Sequence, residues 1–151
     1  MVVLAALFGL FIGSFLNVCI YRIPRNESIV WPGSHCTKCG NPVKARDNIP
    51  VISFLILRGR CRFCAEPISV RYPVVELLSA LLAVSLLYRF GPTVAFAVYY
   101  AWACVLLIIT FIDLDIQIIP DSLSLGGIVV GLVAVYWLPV TYMDALFGLF
   151  L

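Results

Sequence analysis

Charge is scarce in this chain, and most of it sits in one stretch. Only 12% of the 151 residues are charged and 63% are hydrophobic. Soluble domains run at about 25% and about 45–50% respectively. A water-soluble globular domain is therefore excluded as the simplest description, and the bilayer becomes the expected solvent. Histidine occurs once, as His35, and lysine twice, as Lys38 and Lys44. That poverty removes Ser-His and Cys-His pairs and a Ser-Lys dyad from the apolar segments. No H-E-x-x-H motif is present for a catalytic zinc, and no Gly-rich cofactor signature is found. Of the hydrolytic chemistries, paired carboxylates remain.

What charge there is has a direction. Nine of the ten Lys/Arg lie between Arg22 and Arg71, and only Arg89 lies outside. With Glu27, Asp47 and Glu66 in the same stretch, the formal charge is 9 − 3 = +6. Apolar spans flank it, so the positive-inside rule accounts for it better than nucleic-acid binding, and no nucleic-acid partner is expected. Residues 2–21 carry no charge and cover about 30 Å as a helix, the thickness of the hydrocarbon core. They lack a basic n-region and an A-x-A site, so a removable signal peptide is not expected.

The expected fold is an all-α polytopic membrane protein with about four complete transmembrane helices and the start of a fifth. Residues 1–21 form the first helix, 22–73 a cytoplasmic loop, and 74–151 an incomplete transmembrane core. Within the core, spans are expected at 74–88, 93–112 and 122–138, with Gly91-Pro92 turning outside. Gly126, Gly127 and Gly131 suit close helix packing. Seven residues follow Asp144, too few to cross a bilayer, so the sequence is expected to stop inside the fifth span. No internal repeat is evident.

Four of the six cysteines form Cys36-x2-Cys39 and Cys61-x2-Cys64, 21 residues apart. Two such knuckles let four thiolates converge on one Zn²⁺. A disulfide pair is the weaker reading for a loop on a reducing side. A closed four-thiolate site is structural, supplying folding energy to a loop too small for a core. Cys19 and Cys104 lie in spans and read as small hydrophobes. His35 reads as exposed or as a neighbour of the ligands.

Carboxylates at a membrane boundary are costly and invite a functional reading. Each has a bland alternative: Asp121 as a helix cap, Asp115 as a solvated turn residue, Asp144 as a marker of the outer water boundary. Asp113 ends an uncharged run and is evenly balanced between the two readings. Glu76, inside the second span, also stands out.

The chain resembles the type IV prepilin leader peptidases, which are bifunctional membrane aspartic peptidases and N-methyltransferases. The matching segments are Gly13-Ser-Phe-Leu-Asn17 running to Tyr21-Arg-Ile-Pro24, Cys36-Thr-Lys-Cys39, Asp47-Asn-Ile-Pro50 and Arg58-Gly-Arg-Cys61-Arg-Phe-Cys64. Ile68-Ser-Val-Arg-Tyr-Pro-Val-Val-Glu76-Leu and Asp113 through Ile119-Pro120-Asp121 complete them. The resemblance implies a multi-pass inner-membrane enzyme of pilus and type II secretion systems. It would cleave type IV prepilins and pseudopilins after glycine and methylate the new N-terminal residue from S-adenosylmethionine. Asp113 matches the first catalytic aspartate. The second sits in a Gly-x-Gly-Asp motif that these 151 residues lack. Cys36, Cys39, Cys61 and Cys64 would hold structural zinc; the S-adenosylmethionine contacts are unassigned, with Asn17 and Glu76 among the possibilities. The alternatives are a methyltransferase-only remnant and a non-enzymatic zinc-loop scaffold of a pilus or secretion assembly.

Charge asymmetry and span counting place Met1 and the 89–92 turn outside, and the loop and Asp113 in the cytoplasm. Reporter fusions after Gly40 and after Arg89 are expected to read opposite sides of the membrane. Same-side readings overturn this topology.

Overall fold

The computed structural model describes residues 1–117, 121–135 and 143. Among the described residues the elements are helical, with no β-strand beyond two isolated bridges. The helices are α1 (Val2–Arg22), α2 (Ile52–Ile56), α3 (Arg71–Phe90), α4 (Val94–Ile116) and α5 (Asp121–Ala134). Short 3₁₀ turns occupy Ile23–Arg25 and Ala45–Asp47. Three helices, α1, α3 and α4, are long and apolar enough to cross a membrane. α5, with 14 residues described, covers part of the fourth expected span and falls short of that length. The end of the fourth expected span and the start of the fifth lie outside the described residues.

Helix boundaries follow local chemistry rather than hydropathy. α3 starts at Arg71, ahead of the apolar boundary at Val74. Ser69 Oγ accepts the Arg71 N–H at 3.2 Å and so satisfies one of the unpaired donors of the first turn. Pro73 is tolerated there because its missing N–H would have no intrahelical partner. Gly91 (φ 62) closes α3, its N–H donating to Leu87 O at 2.8 Å. Thr93 then caps α4, accepting the Phe96 N–H through Oγ1 at 3.4 Å. α4 runs through Asp113 and Asp115 to Ile116, one turn beyond the uncharged run.

α1 and α3 form the most extensive helix pair. The cause is Gly9-x3-Gly13, which lets the two backbones touch. A Cβ on Gly9 would lie 2.5 Å from Ala80 Cα, and one on Gly13 2.6 Å from Glu76 Cα. α4 closes the group through a core of Leu16, Cys19, Ile20, Val75, Ala83, Tyr100, Cys104, Ile108 and Ile112. Cys19 and Cys104 thus pack as small hydrophobes. Tyr100 carries its hydroxyl into this core and hydrogen-bonds Ser79 Oγ at 2.8 Å. On α5, Gly127 and Gly131 face Trp102 of α4, whereas Gly126 meets no described atom within 4 Å. The small-residue argument holds for two of those three glycines.

The nearest atom facing Gly13, Glu76 Cα, is backbone and cannot swing aside. Gly13→Val is expected to destabilise by about 1–3 kcal/mol or more. Gly126→Ala, at a helical position clear of described atoms, is expected to be neutral or to stabilise by up to about 1 kcal/mol. Thermal unfolding in detergent, followed by circular dichroism, checks both. Equal midpoints for wild type and Gly13→Val would remove the close-packing account.

Candidate functional site: a four-cysteine centre and the cavity beside it

Each cysteine knuckle is a closed backbone unit. In the first, the Cys36 N–H donates to Asn41 O at 2.9 Å and the Gly40 N–H to Cys36 O at 2.9 Å. In the second, the Cys61 N–H donates to Glu66 O at 2.8 Å and the Ala65 N–H to Cys61 O at 3.0 Å. His35 bridges to Pro42 in one, Arg60 to Pro67 in the other. The same bonds recur at equivalent positions, which corrects the expectation of no internal repeat. The repeat is backbone geometry carried by C-x2-C and a closing proline, with little side-chain identity between. Both turns need a left-handed residue after the second cysteine. Gly40 (φ 70) takes that conformation freely; Ala65 (φ 58) takes it against its Cβ.

The four ligand sulfurs lie within 4.8 Å of one another, and Cys36 and Cys64 Sγ are 3.8 Å apart. A tetrahedron of Zn–S bonds of about 2.3 Å has edges of about 3.8 Å, whereas a disulfide needs about 2.05 Å. The donor set therefore fits a metal ion. Crowding four thiols splits their acidities. Cys39 is drawn down to about 6, first by the Asn41 backbone N–H and then by the Asn41 side-chain amide. Cys61 is lowered by the backbone N–H groups of Cys64 and Phe63. The Glu66 backbone N–H lowers Cys64, but desolvation and the three neighbouring thiols outweigh it and push that thiol up to about 12. His35 stays outside the cluster, with Nδ1 3.0 Å from Gly33 O.

Ion pairs tie the knuckles together. Lys38 meets Glu66 at 3.8 Å across the two units. Arg62 forks onto Asp47 at 2.8 and 2.5 Å, holding the Ala45–Asp47 turn against the second knuckle. That guanidinium keeps the Asp47 carboxyl below its ordinary range, and Asp47 raises Arg62 in return.

Between this loop and the ends of α1 and α3 lies a cavity of about 460 Å³. Arg22, buried at the end of α1, clamps the start of the loop by donating to Ser28 O at 2.8 Å, Pro32 O at 2.7 Å and Gly33 O at 3.3 Å. Asn17, 1% exposed, donates through Nδ2 to Tyr72 O at 3.0 Å and to Gly13 O at 3.3 Å. Glu76, also buried, accepts the Val51 N–H at 2.7 Å. Val51 sits at φ 60, ψ −49, a conformation that a β-branched residue adopts only when held there. Two residues that line this cavity each hold one buried polar atom with no partner among the described residues, Asn17 Oδ1 and Arg71 Nε. Each such atom typically costs about 1–3 kcal/mol.

Arg71 also reaches α4, where its Nη1 pairs with Asp115. Asp115 is thus a helical, ion-paired residue, which corrects its reading as a solvated turn. The pair places the last turn of α4 at the same end of the helices as the loop. Asp113 lies on that turn and is an exposed residue. α5 opens at Asp121; the capping role expected of its side chain lies outside the described atoms, as does Asp144. Arg22, Val51 and Arg71 were not singled out in the sequence. Arg22 and Arg71 left a signal there, in the charge census and in the Tyr21–Pro24 and Ile68–Glu76 stretches, whereas Val51 left none.

The family model for the bacterial peptidase A24 N-terminal domain matches residues 7–90, which run from α1 through both knuckles to the end of α3. The prepilin leader peptidase/N-methyltransferase of Myxococcus xanthus is 45% identical over 93% of this chain and 42% of its own length. The protein of the same name from Pseudomonas putida is 38% identical over 97% of this chain and 59% of its length. The type 4 prepilin-like proteins leader peptide-processing enzyme of Escherichia coli is 42% identical, over 98% and 62%. The chain therefore spans about half the length of the curated relatives it matches. No solved structure matches it. With glycine-packed helices, paired knuckles and matched region all coinciding, the chain belongs to the bacterial prepilin leader peptidase/N-methyltransferase family.

Proposed function

We propose that this chain is the zinc-loop and first-aspartate portion of a membrane-embedded aspartic endopeptidase. It acts on type IV prepilins and pseudopilins and methylates the new N-terminal residue with S-adenosylmethionine. The observation that carries the reading is the Arg71–Asp115 pair, which holds the turn bearing Asp113 beside the four-cysteine loop. In this arrangement residues 1–21 anchor the loop, 22–73 form it on the cytoplasmic side of the inner membrane, and 74–151 begin the transmembrane peptidase core.

Peptide hydrolysis by carboxylates needs two of them. One activates water and the other, protonated, polarises the carbonyl; close like charges raise one pKa and supply both forms. Asp113 is one member, exposed where a leader emerging from the bilayer meets water. Asp115 is engaged by Arg71 and is not its partner. The second member belongs to a Gly-x-Gly-Asp segment, which these 151 residues do not contain. The apolar helix of a prepilin packs against the spans, and lipid covers the rest. Cys36, Cys39, Cys61 and Cys64 hold Zn²⁺, which supplies the cross-link that a core would otherwise provide.

The purified chain is expected to carry one zinc per polypeptide, lost in the Cys36→Ser, Cys61→Ser double variant. Ala65→Gly is expected to stabilise the loop by about 1 kcal/mol, and Gly40→Ala to cost a similar amount. Elemental analysis and thermal melts check both. Equal metal in the double variant rejects the assignment.

In a gel-shift assay the 151-residue chain alone is expected to leave prepilin uncleaved. Joining it to a family C-terminal segment bearing Gly-x-Gly-Asp restores processing, and Asp113→Asn in that protein lowers it by about 10³-fold or more, because the pair acts as a unit. Cleavage by the chain alone makes Asp115 and Asp121 the next positions to change. Methylation without cleavage in the extended protein selects the methyltransferase-only reading, and neither activity selects the scaffold.

A further inference from the structure

We propose that the cavity between the cysteine loop and the ends of α1 and α3 binds the methyl donor, with Asn17, Arg71 and Glu76 receiving its amino-acid end. The inference rests on the N-methyltransferase reading above and assigns a location to it. The donor class is a sulfonium nucleoside that carries an α-amino acid.

The volume, about 460 Å³, falls within the range of about 300–1,000 Å³ typical of small-molecule sites. Its polar groups are few and convergent. The orientation of the Asn17 amide is fixed because both its hydrogen-bond partners, Gly13 O and Tyr72 O, are carbonyls. Nδ2 must face them, so Oδ1 is left as a buried acceptor. Arg71 commits Nη1 to Asp115 and leaves Nε as a buried donor. Glu76, 6% exposed, adds a carboxylate to the same wall, next to the strained Val51 that it holds.

An orphan acceptor, an orphan donor and a carboxylate form a set complementary to a zwitterion. An ammonium group satisfies Asn17 Oδ1 and is attracted by Glu76. A carboxylate group satisfies Arg71 Nε. The sulfonium charge is favoured by the same Glu76. Phe54 and Tyr72, also on the cavity wall, offer aromatic faces to a purine. A peptide substrate presents one new ammonium and no adjacent carboxylate, so it matches only half of the set.

The test is calorimetric titration of the purified chain with S-adenosylmethionine, S-adenosylhomocysteine and adenosine. Wild type is expected to bind the first two and to bind adenosine, which lacks the amino-acid end, at least tenfold more weakly. Glu76→Gln keeps an acceptor for the Val51 N–H and removes the charge; it is expected to weaken S-adenosylmethionine at least tenfold and leave adenosine unchanged. Arg71→Lys and Asn17→Leu are expected to weaken both amino-acid-bearing ligands. Zinc content equal to wild type certifies the fold of each variant. Should Asn17→Leu fail that control, the other two carry the comparison. Photolabelling with an 8-azido donor is expected to mark 49–57 or 69–72. Binding in wild type that all three variants share within twofold, or labelling elsewhere, overturns the cavity assignment and leaves the methyltransferase reading intact. No binding by wild type also overturns it; methylation by the extended protein then separates that result from a failure of the reading itself.

Discussion

The contact on which the rest of the structure depends is the backbone-to-backbone approach of α1 and α3 at Gly9 and Gly13. With no side chain between them, the helices meet in one register. That register sets Asn17 against the Tyr72 carbonyl and puts Glu76 where it can receive the Val51 N–H, 25 positions away in sequence. Larger residues at the two glycines would separate the helices by ångströms, and hydrogen bonds of 2.7–3.0 Å do not survive such a shift. In a bilayer, where apolar surface alone gives helices little reason to associate, small residues and polar contacts have to set the geometry.

The loop solves a different problem. Its charged side chains and short elements leave little to bury, and its order comes instead from carbonyls and thiols. Arg22 illustrates this: a residue expected merely to mark the inner side of the membrane spends its guanidinium on three loop carbonyls. The knuckles supply the second fixed point and the Asp47–Arg62 fork a third.

Much of this was legible in the sequence, for identifiable reasons. C-x2-C spacing and uncharged runs are local signals, and both survived folding, as did the placement of Cys19 and Cys104 in apolar packing. Gly9-x3-Gly13 was present but was masked by the general hydrophobicity of the first span. The start of α3 was set too late because hydropathy reports where charge stops, not where a serine caps a turn. Asp115 was misjudged because its partner, Arg71, is 44 positions away, and sequence carries no register between helices. The same limit hid the cavity, which exists only once α1, α3 and the loop are brought together.

The two knuckles also have a topological consequence. Each closes on its own hydrogen bonds, so joining them through one ion would pinch the intervening segment at both ends. That segment carries Asp47, Val51 and Phe54, which form part of the cavity wall. Closing a loop removes freedom from the unfolded chain much as a disulfide does. Loading of the ion and rigidity of the wall are then a single thermodynamic equilibrium, and a cell short of the metal would soften a wall that reaches well beyond the ligands Cys36 and Cys61.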